Sequence, residues 1–173
     1  MKTEDRCKNV ELILSDVDGV LTDGGIIFDN QGIETKRFHV RDGMGIKLWQ
    51  RAGFKFGILT ARTSNVVQLR ANELNVDVIR QGVDAKLMAA KQIIEEFGLR
   101  PDQVCYIGDD LPDLPLILAV GLGVAVADAA ADVREAAEHV TTLSGGHGAV
   151  RETIEFVLKK KGLWEGMIRK YTD

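Results

Sequence analysis

Short apolar runs alternate with helix-period segments along this chain. Residues 10–15, 54–59, 77–80, 103–107 and 122–126 are apolar stretches of strand length, and their shortness and β-branched content predict strands. The intervening segments carry apolar residues three and four positions apart, the helical spacing. One carries Met44, Leu48 and Trp49, with Asp42 as its predicted cap and Gly53 at its end. The next carries Val66, Val67, Leu69 and Leu74, capped by Thr63 or Ser64. A third carries Leu87, Ile94 and Phe97, with Asp84 as cap and Gly98 after it. Pro112 suits the first turn of a fourth. Residues 129–137, 148–160 and 164–171 predict three more. Strand and helix in alternation imply an α/β fold, a Rossmann-like parallel sheet with helices on both faces.

One segment breaks the rhythm. Residues 25–28 and 33–40 flank the turn-like cluster Asp29-Asn30-Gln31-Gly32. This predicts a β-hairpin inserted over about residues 24–40. No repeat or linker interrupts residues 1–173, so one domain is expected, with a tail from about residue 161.

Composition narrows the function classes. Apolar residues make up 45% and charged residues 28%, the balance of a soluble globule. The net charge of −4 speaks against a nucleic-acid partner. No apolar run approaches the roughly 20 residues of a membrane span, so no membrane partner is expected. Residues 1–8 are charged and lack a signal-peptide core. Cys7 and Cys105 form no metal motif. The expectation is a cytoplasmic protein with Cys105 in its core.

The chemistry gathers at two strand ends. The first strand leads into Ser15-Asp16-Val17-Asp18-Gly19-Val20-Leu21-Thr22, and the fourth into Gly108-Asp109-Asp110-Leu111-Pro112-Asp113. Neither is a glycine-rich dinucleotide cradle, and no Walker lysine motif is present. In a parallel sheet both tips lie on one edge, where ligands gather. Carboxylates crowded there repel one another unless a cation joins them. Magnesium suits a carboxylate pair, waters and a phosphate oxygen.

These residues resemble the haloacid dehalogenase (HAD) superfamily of phosphatases. Asp16–Thr22 fits its first motif, D-x-D-G-x-[LV]-T. Thr60 fits the second-motif Thr or Ser, Lys86 the third-motif Lys, and residues 108–113 the fourth motif, G-D-x-x-x-D. The resemblance implies that Asp16 is the nucleophile and Asp18 the general acid and base. It implies magnesium held by the Asp16 carboxylate, the Asp18 main-chain carbonyl and the Asp109 carboxylate. Asp110 and Asp113 would support that shell from behind, and Thr60 and Lys86 would bind the phosphoryl group.

Neither interval between these motifs has room for a cap domain. The chain from about residue 11 to 152 also resembles the 3-deoxy-D-manno-octulosonate 8-phosphate phosphatase family. The shared stretches are Thr22–Gly25, Phe38–Gly45, Gln81-Gly82, Gly108–Asp110, Val124–Ala129 and Gly145–Glu152. That likeness implies a sugar-acid phosphate substrate and a homotetramer with hairpins packed centrally. Arg62 would meet the substrate carboxylate or hydroxyls, and it favours an eight-carbon sugar acid over a nine-carbon one. Arg70 either faces substrate across a subunit interface or sits on a solvated helix face; Arg41 is similarly open. His147 stands where the family often has Arg or Lys, as a turn residue or a pocket residue. The alternatives are a phosphatase for a nine-carbon sialic-acid-type 9-phosphate, and a non-catalytic tetramerisation module associated with a sugar-acid cytidylyltransferase.

Overall fold

The computed structural model describes residues 3–171; residues 1–2 and 172–173, the ends of the expected span, lie outside them. The elements are α1 (Thr3–Asn9), β1 (Leu12–Ser15), β2 (Ile27–Phe28), β3 (Glu34–Thr35), α2 (Val40–Arg51), β4 (Lys55–Leu59), α3 (Asn65–Leu74), β5 (Val78–Arg80), α4 (Lys86–Glu96), β6 (Val104–Gly108), α5 (Leu114–Ile117), β7 (Leu122–Ala125), α6 (Ala131–Ala136), β8 (His139–Val140), α7 (Ala149–Lys160) and α8 (Trp164–Ile168). Short 3₁₀ turns precede β6 and α5 and follow α8.

Six strands form one parallel sheet in the order β5-β4-β1-β6-β7-β8. Each of β1, β6 and β7 is buried along its whole length, as expected of strands covered on both faces. One face carries α1, α2, α3 and α7 in mutual contact, and the other carries α4, α5 and α6. The chain first winds outward from β1 to β4 and β5, then crosses back to place β6 on the other side of β1. That reversal is a topological switch point, where open α/β sheets bind ligands. Between β1 and β4 lie only β2–β3 and α2, and between β4 and β5 only α3, so there is no cap domain. Among the described residues, no helix is long and apolar enough to cross a membrane.

Several local expectations differ from what the chain does. Asp42 does not cap its own helix. His39 does, its Nδ1 accepting from Arg41 N–H at 3.3 Å. Asp42 instead lies buried in the first turn of α2 and reaches across to the start of α7, where Arg151 N–H donates to its Oδ1 at 2.8 Å. Asp84 is not a cap either, because α4 begins at Lys86 with Ala85 before it. Ser64, not Thr63, precedes α3, with Asn75 in the left-handed conformation at its end. The hairpin pairs only Ile27–Phe28 with Glu34–Thr35. Helix α1 and the two-residue edge strand β8 were not expected from the pattern.

Candidate active site

Asp16 follows β1 directly, and its N–H donates to Ile107 O of β6 at 3.0 Å. This main-chain bond sets the tips of β1 and β6 side by side. The carboxylate oxygens of Asp16, Asp109 and Asp113 come within 4.8 Å of one another. A cleft of about 160 Å³ opens over them, lined by Asp16, Asp18, Thr60, Arg62, Lys86, Asp109, Asp110 and Asp113. Eight of the nine residues given a site role from the sequence, all but Arg70, therefore line one cleft.

Lys86 bridges the carboxylates. Its Nζ lies 2.6 Å from Asp16 Oδ2 and 2.6 Å from Asp113 Oδ1, and its side chain is buried. Burial pulls the ammonium down, but the two carboxylates outweigh it and hold Lys86 above its ordinary value. Asp16 is pushed up by burial and by the charge of Asp113, against the pull of Lys86.

Asp113 is an organiser. Its Oδ1 accepts from Lys86 and from Tyr106 Oη at 2.5 Å, and its Oδ2 accepts the N–H groups of Asp109 at 2.9 Å and Asp110 at 3.2 Å. Burial, then the Asp113 charge, pushes the Tyr106 phenol well above its ordinary value, so it stays a neutral donor. Among the described residues, each Asp113 oxygen takes two donors, whereas Asp16 Oδ1 takes only Val17 N–H at 2.7 Å and Oδ2 only Lys86, so Asp16 and Asp109 keep the freer lone pairs for a cation. Asp109 is only weakly compensated: burial, then Asp113 and Asp16, push it up to about 8 against the pull of Lys86. A hard divalent ion fits this donor set, since it would relieve that crowding.

Asp18 turns its carboxylate away from this cluster. Lys36 Nζ donates to Asp18 Oδ1, and Arg62 Nε lies 3.5 Å from Asp18 Oδ2. Glu34 binds the same cations, 2.8 Å from Arg62 Nη2 and 3.3 Å from Lys36 Nζ, and accepts from Ser64 Oγ at 2.5 Å. The Ser64 hydroxyl, with Arg62 and Lys36, holds the Glu34 carboxyl below its ordinary value against the effect of burial. Glu34 and Lys36 were not singled out from the sequence as site residues. Their spacing of two, which puts them on one face of a strand, was the available signal.

Two glycine contacts lock the first turn. Gly19 has φ +88°, and Gly145 sits where a Cβ would come 1.7 Å from Gly19 O. The loop before α7 thus presses on the turn that carries Asp16 and Asp18, and Gly146 N–H donates to Val20 O at 2.9 Å. His147 is exposed, with Nδ1 2.7 Å from Gly145 O, and closes a turn. Arg70 lies outside the cleft of its own chain. It packs over Gly43 and pairs with Glu73 at 2.7 Å. Arg41 lines a separate hollow beside Arg151 and Glu155.

Comparison with known proteins places this geometry. Residues 69–152 match the model of haloacid dehalogenase-like hydrolases. The 3-deoxy-D-manno-octulosonate 8-phosphate phosphatase KdsC of Yersinia pestis is 42% identical over 161 residues, covering 93% of this chain and 86% of that protein. The KdsC protein of Escherichia coli K12 is 41% identical over 91% of this chain and 84% of its own length. The crystal structure of the Moraxella catarrhalis phosphatase of that name, in complex with magnesium, phosphate and KDO, superposes with TM-score 0.95 at 38% identity, covering 97% of each chain. The cobalt-bound Haemophilus influenzae phosphatase superposes with TM-score 0.89 at 38% identity, over 92% of this chain and 93% of that one. Alike in sequence over nearly its whole length and in fold, the chain belongs to the 3-deoxy-D-manno-octulosonate 8-phosphate phosphatase family of haloacid dehalogenase-like hydrolases.

Proposed function

We propose that this chain is a magnesium-dependent phosphomonoesterase that hydrolyses 3-deoxy-D-manno-octulosonate 8-phosphate to the free sugar acid and phosphate. The observation that carries this reading is the meeting of Asp16 and Asp109 from two strand ends, with Lys86 between Asp16 and Asp113. Relatives named for this reaction match nearly the whole chain, and one holds magnesium, phosphate and KDO.

The Asp16 carboxylate attacks phosphorus while the ester P–O bond breaks, giving an aspartyl-phosphate. Asp18 gives its proton to the departing sugar oxygen. It then takes a proton from the water that attacks the intermediate, releasing phosphate and restoring Asp16. Lys86 and Thr60 hold the equatorial phosphoryl oxygens, while Asp113, fixed by Tyr106, keeps Lys86 and the Asp109 backbone in place. The Asp16 and Asp109 carboxylates and the Asp18 carbonyl would hold magnesium, which would supply the charge neutralisation that the phosphoryl group and the carboxylates need. Arg62, partly exposed at the cleft mouth, meets the carboxylate or hydroxyls of the sugar acid.

Assembly belongs to the same reading. The outer face of the hairpin exposes Ile26, Ile27, Phe28 and Ile33 by about half, and apolar patches of that kind mark contact surfaces. A homotetramer built on the hairpins covers them and closes an otherwise open site. A cytoplasmic location suits the two free cysteines, both buried.

The test is phosphate release from a panel of sugar-acid phosphates, with and without magnesium. The expected result is magnesium-dependent turnover with the highest kcat/KM on the eight-carbon substrate. Preference for a nine-carbon sugar-acid 9-phosphate, or turnover indifferent to the metal, overturns the assignment.

A further inference from the structure

The hairpin reaches into the catalytic cleft. Glu34 and Lys36 leave its second strand on the same side and point back toward the end of β1. Lys36 Nζ donates to Asp18 Oδ1 and stands 3.3 Å from Glu34 Oε1, and its side chain is 1% exposed. Glu34 is itself fixed by Arg62 at 2.8 Å and by Ser64 at 2.5 Å. Asp18 thus has one carboxylate oxygen pinned by a buried lysine. Among the described residues, the other is met by Arg62 alone, at 3.5 Å, whose side chain is 42% exposed.

A lysine on an exposed hairpin normally runs its ammonium out to water. Giving up that water is unfavourable unless carboxylates replace it. Here two do, and one of them is Asp18. If Lys36 served only to tether the hairpin, Glu34 alone would serve, since it already binds Arg62 and Ser64 beyond β4. The contact to Asp18 has a further consequence. A general acid must stand within hydrogen-bond reach of the leaving oxygen. An Asp side chain on a turn can rotate about two bonds, and holding Oδ1 fixes where Oδ2 points.

We infer that Lys36 is a positioning residue for the proton-transfer step. By binding Oδ1 of Asp18 from the hairpin, it aims Oδ2 at the departing ester oxygen. This rests on the proposed phosphatase reaction, in which Asp18 protonates the leaving group. It also makes the hairpin part of the reacting site as well as a contact surface.

The experiment uses the full chain with magnesium and measures first-turnover release of alcohol or phenol from a series of phosphate monoesters. A p-nitrophenolate departs without help, whereas an alkoxide needs a proton as it leaves. Lys36→Met is expected to slow alkyl esters about 100-fold and p-nitrophenyl phosphate less than about 5-fold, so that the rate depends more steeply on leaving-group pKa. Lys36→Arg, which keeps a cation near Asp18, restores most of the alkyl-ester rate. Lys36→Ala, which removes the donor with a smaller side chain, shows the same selective loss and serves if the Met variant does not fold. Equal loss on both ester classes, or no loss, overturns the inference, because a damaged fold or metal site slows both alike. A wild-type protein inactive on every ester with magnesium would fail the phosphatase reading itself; an active wild type with uniform loss in the variants fails only the role of Lys36.

Discussion

The carboxylate of Asp109 lies against the α-carbon of Gly19, so closely that a Cβ there would stand 2.1 Å from Asp109 Oδ2. Gly19 also holds φ at +88°, where a side chain is strained. The glycine after Asp18 is therefore what lets the second acidic tip close on the first. Gly19→Ala must push Asp109 aside or distort the turn. Magnesium affinity, measured by calorimetry, is expected to fall about 10- to 100-fold, with turnover falling alongside. Unchanged affinity would mean that Asp109 is free to bind from another position.

Asp109 also sets a pH dependence. Its carboxyl is pushed up to about 8 in the folded chain without metal, against roughly 4 when unfolded. The folded state then holds more protons across that window, so its stability falls as pH rises from about 4 to about 8. Magnesium needs the ionised carboxylate and competes with the proton. Its apparent affinity should rise about tenfold per pH unit below that value and level off above it. Asp109→Asn should raise the melting temperature of the metal-free protein at pH 8 and abolish the rise that magnesium gives the wild type. Thermal melts at several pH values with and without magnesium check both signs.

Lys86 is the counter-charge for Asp16 and Asp113, 2.6 Å from each. Lys86→Met leaves two buried carboxylates facing each other with no cation. The expected cost is about 3–5 kcal/mol, read as a fall in melting temperature of about 10 °C or more, together with loss of turnover. Adding Asp16→Asn to the same chain should return part of that stability, since it removes one of the stranded charges. A double variant no more stable than Lys86→Met would show that the pair is not coupled as its geometry implies.

Much of this site was legible because its chemistry sits at strand ends. Asp16 and Asp109 follow short apolar runs, and a parallel sheet brings such ends to one edge whatever the loops do. Thr60 and Lys86 were legible through their order in the motifs. Lys36 was not, because a charged residue alternating along an exposed hairpin looks like any solvated edge; only the way the hairpin folds back distinguishes it. Asp42 was read as a local cap because Asp suits that position. Its real partner is the N-terminus of α7, more than a hundred residues on, and no local pattern encodes such a contact. Helix α1 has one buried side chain, Cys7, too few to show a helical period. Strand β8 is two residues long, below the length at which alternation can be seen.

Arg70 offers a test of the assembly. In its own chain it lies over Gly43, away from the cleft, so any contact with substrate must cross to a neighbouring subunit. The hairpin supplies the means of bringing a neighbour close: β2 and β3 make an isolated two-stranded pair, marginal in water by itself, with Phe28 and Ile33 more than half exposed. Phe28→Asp with Ile33→Asp is expected to shift the mass measured by light scattering from that of the proposed tetramer to smaller species and to reduce turnover. Arg70→Ala should then weaken binding of the sugar-acid phosphate, seen mainly in KM, and Asp16→Asn should abolish turnover by about 10⁴-fold or more. Mixed after partial denaturation and refolded together, these two single variants should recover activity. Each Asp16→Asn subunit would lend its intact Arg70 to a neighbour with an intact nucleophile. Neither variant can do this alone, and dilution or salt cannot mimic it. Activity in the mixture no higher than that of the Arg70→Ala protein by itself would confine Arg70 to a structural place in its own helix.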